Sequence, residues 1–103
     1  MINNKYKLEG HKPVLCGDLF EWTSWLEKAD RQVAKTILKG PNNVDILVST
    51  VFLGLNHNYG EGKPILFETM VFGGAHDEDM KRYCTWEEAE EGHKLMVDRV
   101  KSE

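Results

Sequence analysis

A chain of 103 residues, 41% hydrophobic and 29% charged, is sized for a single domain, 1–103, with one core, and it carries no low-complexity stretch of the kind that stays disordered. Its formal net charge of −4 argues against a nucleic-acid polymer as partner, since that partner asks for a broad basic face, while a small anion needs only a local Arg or Lys. Two cysteines are too few for the framework of a small secreted domain, no apolar run reaches bilayer length, and MINNKYKLEGHK lacks the basic-then-apolar pattern of a leader. These totals predict a cytoplasmic protein with reduced thiols and no membrane association.

In chain order, Tyr6 to Leu15 contains Gly10 and Pro13 and reads as a short strand or hairpin at an edge. Asp18 is placed as an N-cap with Glu21 three residues on, and Leu19, Trp22, Leu26 and Ala29 recur at helical spacing, which predicts a helix from Leu19 to Lys28. Phe20 and Trp25 widen its apolar face beyond one stripe. Val33, Thr36 and Ile37 mark a strand over Gln32 to Leu38, and the turn Gly40 to Asn43 follows. Val44 to Leu55 and Pro64 to Gly74 then flank HNYGEGK as a long antiparallel hairpin with a flexible tip, so that three successive strands form a meander. Thr85 with Glu88 makes a capping box, after which Trp86, Ala89, His93, Met96, Val97 and Val100 share one helical face and Glu87, Glu90, Glu91, Lys94, Asp98 and Lys101 form a solvated one. The fold class that follows is α+β: an antiparallel sheet of three to four strands, a meander with a long hairpin, and two helices packed on it.

The first strand of the hairpin does not alternate apolar with polar. Ile46, Val48 and Phe52 fall on one face, Leu47, Val51, Leu53 and Leu55 on the other, so both faces need cover. The helices can cover one. The other is left to the N-terminal segment or to another copy of the chain, and the reading favours a homo-oligomer, a dimer or larger.

Several residues interrupt these patterns and could carry chemistry. His57, with Asn56 and Tyr59, sits in a loop that Gly60 and Gly62 allow to approach a ligand, offering hydrogen bonds and a ring for stacking. Glu68 lies inside ILFETMVF, where a carboxylate needs a basic partner, hydrogen bonds, a proton or water. It either meets solvent or an ion pair, or lines a pocket with Ser49, Thr50 or Thr69, and the hairpin register decides which. His93 lies on the apolar face of the last helix beside Gly92, which permits close approach of another element or a ligand. Arg82 and Tyr83, just before the Thr85 cap, are placed to hold a phosphate. Cys16 and Cys84 precede helix starts but have no histidine partner in sequence, and His57, His76, Asp77 and Asp79 match no metal-ligand spacing; no Walker loop, dinucleotide fingerprint or nucleophile elbow is present. Neither a metal nor a cofactor is expected.

STVFLGL followed by His57, LFETMVFGG and RYCTWEEAEEGH together resemble a family of small phage and prophage proteins over about Cys16 to Val100. The chain departs from that pattern at Asn56, where Asp is commoner, and at Cys84, where Ser is commoner, which removes an essential acid at 56 and weakens any cysteine nucleophile. The resemblance implies a phage setting, in which small oligomeric proteins include inhibitors of host defence that capture or cleave nucleotide signals. The leading expectation is a binding protein that sequesters a nucleotide-like small molecule with His57, Tyr59, Glu68, Arg82, Tyr83, Thr85 and His93, in the cytoplasm of the infected bacterial host. The alternatives are a phosphodiesterase-type enzyme, with His57 or His93 as acid or base and Glu68 orienting it, and a non-enzymatic structural or interaction protein.

Overall fold

The structure, a computed structural model, describes residues 4–102. Its longest helix starts where two residues cap each other: the Thr85 hydroxyl accepts the Glu88 N–H at 3.1 Å, and the Glu88 carboxylate accepts the Thr85 N–H at 3.0 Å. The elements run β1 (Tyr6–Glu9), β2 (Lys12–Leu15), α1 (Leu19–Lys28), β3 (Gln32–Lys39), a 3₁₀ turn (Pro41–Asn43), β4 (Asp45–Phe52), β5 (Phe67–Phe72), β6 (Met80–Tyr83) and α2 (Trp86–Lys101). Strands β3, β4, β5 and β6 form one antiparallel sheet in chain order, and β1 pairs with β2 as a separate hairpin. The protein is therefore an α+β domain with the predicted meander.

Two details differ from the sequence reading. The fourth strand of the sheet is β6, because Tyr6 to Leu15 pairs with itself instead of adding to an edge. The long hairpin is also shorter than predicted: regular pairing stops at Phe52 and resumes at Phe67, since Gly54 turns out at φ +81° and Pro64 has no N–H to give a ladder.

Register fixes the two faces of the sheet. Ile46, Val48, Thr50 and Phe52 of β4 and Phe67, Thr69 and Val71 of β5 point to one side and are buried. On that side α2 lays down Ala89, Gly92, His93, Met96, Val97 and Val100. The core is thus two apolar clusters, one around Val48, Val71 and Met96, the other around Phe52, Phe67 and Tyr83. Helix α1 joins the second cluster from the end of the sheet: Trp25 meets Phe52 edge-on at 5.8 Å between ring centroids, and the Trp22 indole donates to the Tyr6 and Gly54 carbonyls. The N-terminal hairpin packs beside it through Tyr6 and Leu8. Both N-terminal elements thus sit on the side that α2 already covers. The opposite face keeps Lys35, Ile37, Leu47, Ser49, Val51, Glu68, Met70, Phe72, Met80 and Arg82 half-buried or exposed. Among the described residues, no helix is long and apolar enough to cross a membrane.

Candidate functional site

The pairing of β4, β5 and β6 settles where Glu68 points. Its cross-strand partners are Val51 on one side and Arg82 on the other, so it shares the uncovered face with Ser49 and Met70, while Thr50 and Thr69 lie behind the sheet. Of the two sequence readings for Glu68, the ion pair is found: Arg82 Nε donates to Glu68 Oε2 at 3.0 Å. The carboxylate side chain is 16% exposed and the guanidinium 38%. The contact is through Nε, and the two terminal nitrogens make no hydrogen bond among the described residues, which leaves donors of the kind that grip a phosphate as a fork.

The loop from Leu53 to Leu66 leaves the sheet at the same end as Glu68 and Arg82. Expected as a flexible tip, it is instead tied to itself by two asparagines. Asn56 Oδ1 accepts from Asn58 N at 2.8 Å and Ile65 N at 3.0 Å, and the Asn58 amide donates to the Glu61 and Lys63 carbonyls while its oxygen accepts from Gly60 N. An aspartate at 56 would accept the same two amides, which explains how either residue serves there. His57 Nδ1 lies 2.8 Å from the Leu55 carbonyl, so Nδ1 carries the proton and Nε2 is left as an acceptor. Tyr59 is 88% exposed, with its ring centroid 6.4 Å from that of His57. Arg31 reaches the same end, where its guanidinium donates to the Phe52 carbonyl at 3.2 Å.

His93 does not join these groups. It is buried between α2 and the sheet, with Nδ1 2.8 Å from Thr50 Oγ1 and Nε2 2.8 Å from Thr36 Oγ1. Thr50 is hydrogen-bonded to Thr69, and Tyr83 donates its hydroxyl to Thr69 at 3.1 Å. One orientation uses the donors of Tyr83, Thr69, Thr50 and His93 once each: Tyr83 to Thr69, Thr69 to Thr50, Thr50 to Nδ1, and Nε2–H to Thr36. Burial pushes the imidazole pKa below its ordinary value near 6.5, which keeps the ring neutral as this chain requires. The close approach permitted by Gly92 is taken by Tyr83, because a methyl at position 92 would overlap the tyrosine ring. Tyr83 and His93 are thus parts of a core network, on the opposite face of the sheet from Glu68. Thr36 completes the network and carries no mark in the sequence beyond a polar residue in a strand.

Thr85 spends its hydroxyl on the cap of α2. Next to it, the His11 ring stacks on Trp86 at 3.8 Å and 5° between planes, and the Trp86 indole N–H has no hydrogen-bond partner among the described residues. A groove of about 600 Å³ runs between β6 and α2, with Lys81 and Arg82 on one wall and Glu87, Glu88 and Glu91 on the other. That acidic wall repels an anion, so the side of Arg82 open to phosphate is the uncovered sheet face. The remaining polar candidates are tied locally. Asp79 accepts from His76 Nδ1 at 2.9 Å and pairs with Arg99 at 3.3 Å, Asp77 caps Gly73 N at 2.7 Å, and Cys16 is buried with Sγ 3.6 Å from the Asp18 carbonyl. Among the described residues, no three His, Cys, Asp or Glu side chains gather as metal ligands.

No protein-family model, curated protein or solved structure matches the chain. Fold and geometry alone define an α+β domain that presents an oriented arginine and an exposed aromatic loop at one end of a sheet.

Proposed function

We propose that the protein works by binding: it captures a nucleotide-like anionic signal of host antiviral defence and holds it intact. The observation that carries this reading is the Glu68–Arg82 pair, in which a monodentate carboxylate orients a guanidinium and leaves its terminal nitrogens for phosphate. Tyr59 offers a ring for a base to stack on, and His57 Nε2 offers an acceptor, both from a loop leaving the same end of the sheet. The phage setting comes from the sequence resemblance. Catalysis is the weaker reading because Glu68 orients neither histidine: His93 has both ring nitrogens bonded inside the core across the sheet from it, and His57 Nδ1 bonds the Leu55 carbonyl while the Glu68 carboxylate is taken by Arg82.

The test is mass spectrometry of a panel of cyclic dinucleotides, cyclic oligonucleotides and ADP-ribose derivatives incubated with excess protein, before and after heat denaturation. A ligand that leaves the free pool and returns unchanged on heating supports sequestration, and Arg82→Ala abolishes that capture. Arg82→Lys recovers little of it, since a point charge lacks the planar fork. A ligand converted to a new mass, or a panel left untouched, contradicts the proposal.

A further inference from the structure

The uncovered face of the sheet is ordered in rows by the register. Ile37, Leu47 and Phe72 form one row, Lys35, Ser49, Met70 and Met80 the next, and Gln32, Val51, Glu68 and Arg82 the row nearest the loop end. Ile37 is 59% exposed, Phe72 47% and Met80 46%. A sheet with one wet face normally alternates apolar with polar, and here Ile37, Leu47, Phe72, Met70 and Met80 form a contiguous apolar band on the wet face, interrupted by Lys35 and Ser49. We infer that this face is an interface between two copies of the chain, packed sheet to sheet about a twofold axis, giving four layers with an α2 helix on each outside.

Three observations select a second copy as the occupant. The first is area: the eight, eight, six and four residues of β3, β4, β5 and β6, at about 3.4 Å along a strand and about 4.8 Å between strands, give a flat footprint of about 420 Å² per copy, about 850 Å² in all before side-chain relief is counted, close to the roughly 1,000 Å² that a specific interface needs. The second is charge: Glu68 and Arg82 stand at one end of the face and Asp45 and Lys39 pair at the other. At each end the cation is already paired with an anion of its own copy, so no block of one sign opposes itself across a twofold axis, and Lys35 is the charge between the two ends. The third is place within the fold: α1 and the β1–β2 hairpin lie on the α2 side, so neither shields this face. Two such faces stack in the aligned manner of sheet sandwiches, with the Ile37–Leu47–Phe72 row near the centre and the Glu68–Arg82 row towards the rim.

Light scattering after size-exclusion chromatography at micromolar concentration tests this directly. Wild type should run at twice the 11.8 kDa chain mass, and Ile37→Glu or Leu47→Lys at the single-chain mass with an unchanged far-ultraviolet spectrum. Phe20→Glu, on the separate exposed patch of α1 where Phe20 is 84% exposed, should leave the doubled mass intact. A monomeric wild type, a doubled mass that survives both sheet substitutions, or dissociation by Phe20→Glu instead would each overturn the inference. Failure here is separable from failure of the binding reading, because the mass of Ile37→Glu and the nucleotide capture lost in Arg82→Ala are read in different assays.

Discussion

One sheet carries two faces that use polar residues in opposite ways. Behind it, buried Thr50, Thr69, Tyr83 and His93 are hydrogen-bonded to one another and to half-buried Thr36, with both ring nitrogens of His93 taken; in front, Glu68 and Arg82 share one bond and make no other side-chain hydrogen bond among the described residues. A satisfied buried network specifies one packing of α2 on the sheet, whereas a half-used exposed pair adds little stability, roughly 0–1 kcal/mol, and remains open to a ligand. What distinguishes a structural histidine from a binding arginine here is bond accounting: the first has no atom left over.

Substitutions behind the sheet should break that contrast most strongly. Phe52→Ala removes the ring that joins Trp25 to Phe67 at the centre of the second cluster and should cost about 3–5 kcal/mol in chemical unfolding. Gly92→Ala forces a methyl into the Tyr83 ring, and a loss of about 3 kcal/mol is expected despite alanine's better helix propensity. A stability gain in that variant would show that the ring moves aside freely.

The pH dependence of His93 sharpens the comparison further. Its folded pKa lies below the unfolded value near 6.5, so the unfolded chain binds the proton first as pH falls. The neutral ring's contribution is complete above about pH 6.5 and is lost as pH drops from there toward the folded pKa. Unfolding free energies measured across that window for wild type and His93→Gln should converge as pH falls, the carboxylates contributing equally to both. Parallel curves would mean that the imidazole is charged or exposed in the native state. The smallest effect belongs to the cap: Thr85→Ala removes the acceptor for the Glu88 amide and should cost about 1 kcal/mol by thermal unfolding.

Elements with two independent sequence signals were readable in advance. Asp18 and Glu21 mark the start of α1, and Thr85, Glu88 and the spacing from Ala89 to Val100 outline α2. Strand β6 was hidden because Met80-Lys81-Arg82-Tyr83 has no alternation: three of its residues are exposed, and it is held by backbone pairing to β5. The candidate site was legible as residue types but not as geometry. Glu68 demanded a partner, yet only the register separates Arg82 on its own face from Thr50 and Thr69 on the other. His93 and Gly92 looked available for a ligand, and long-range packing of Thr36 and Tyr83 uses them up. The Asn56-x-Asn58 spacing was a usable signal for a tied loop, since paired asparagines two residues apart favour side-chain turns.

The division of labour between the two faces is tested most directly by urea unfolding of Arg82→Ala and His93→Ala beside the wild type. Truncating His93 leaves the Thr50 and Thr36 hydroxyls facing a void and should cost about 2–4 kcal/mol, while Arg82→Ala should stay within about 1 kcal/mol of the wild type. Equal losses in the two variants, or a larger one at Arg82, would contradict the account, because the arginine would then be part of what holds the fold together.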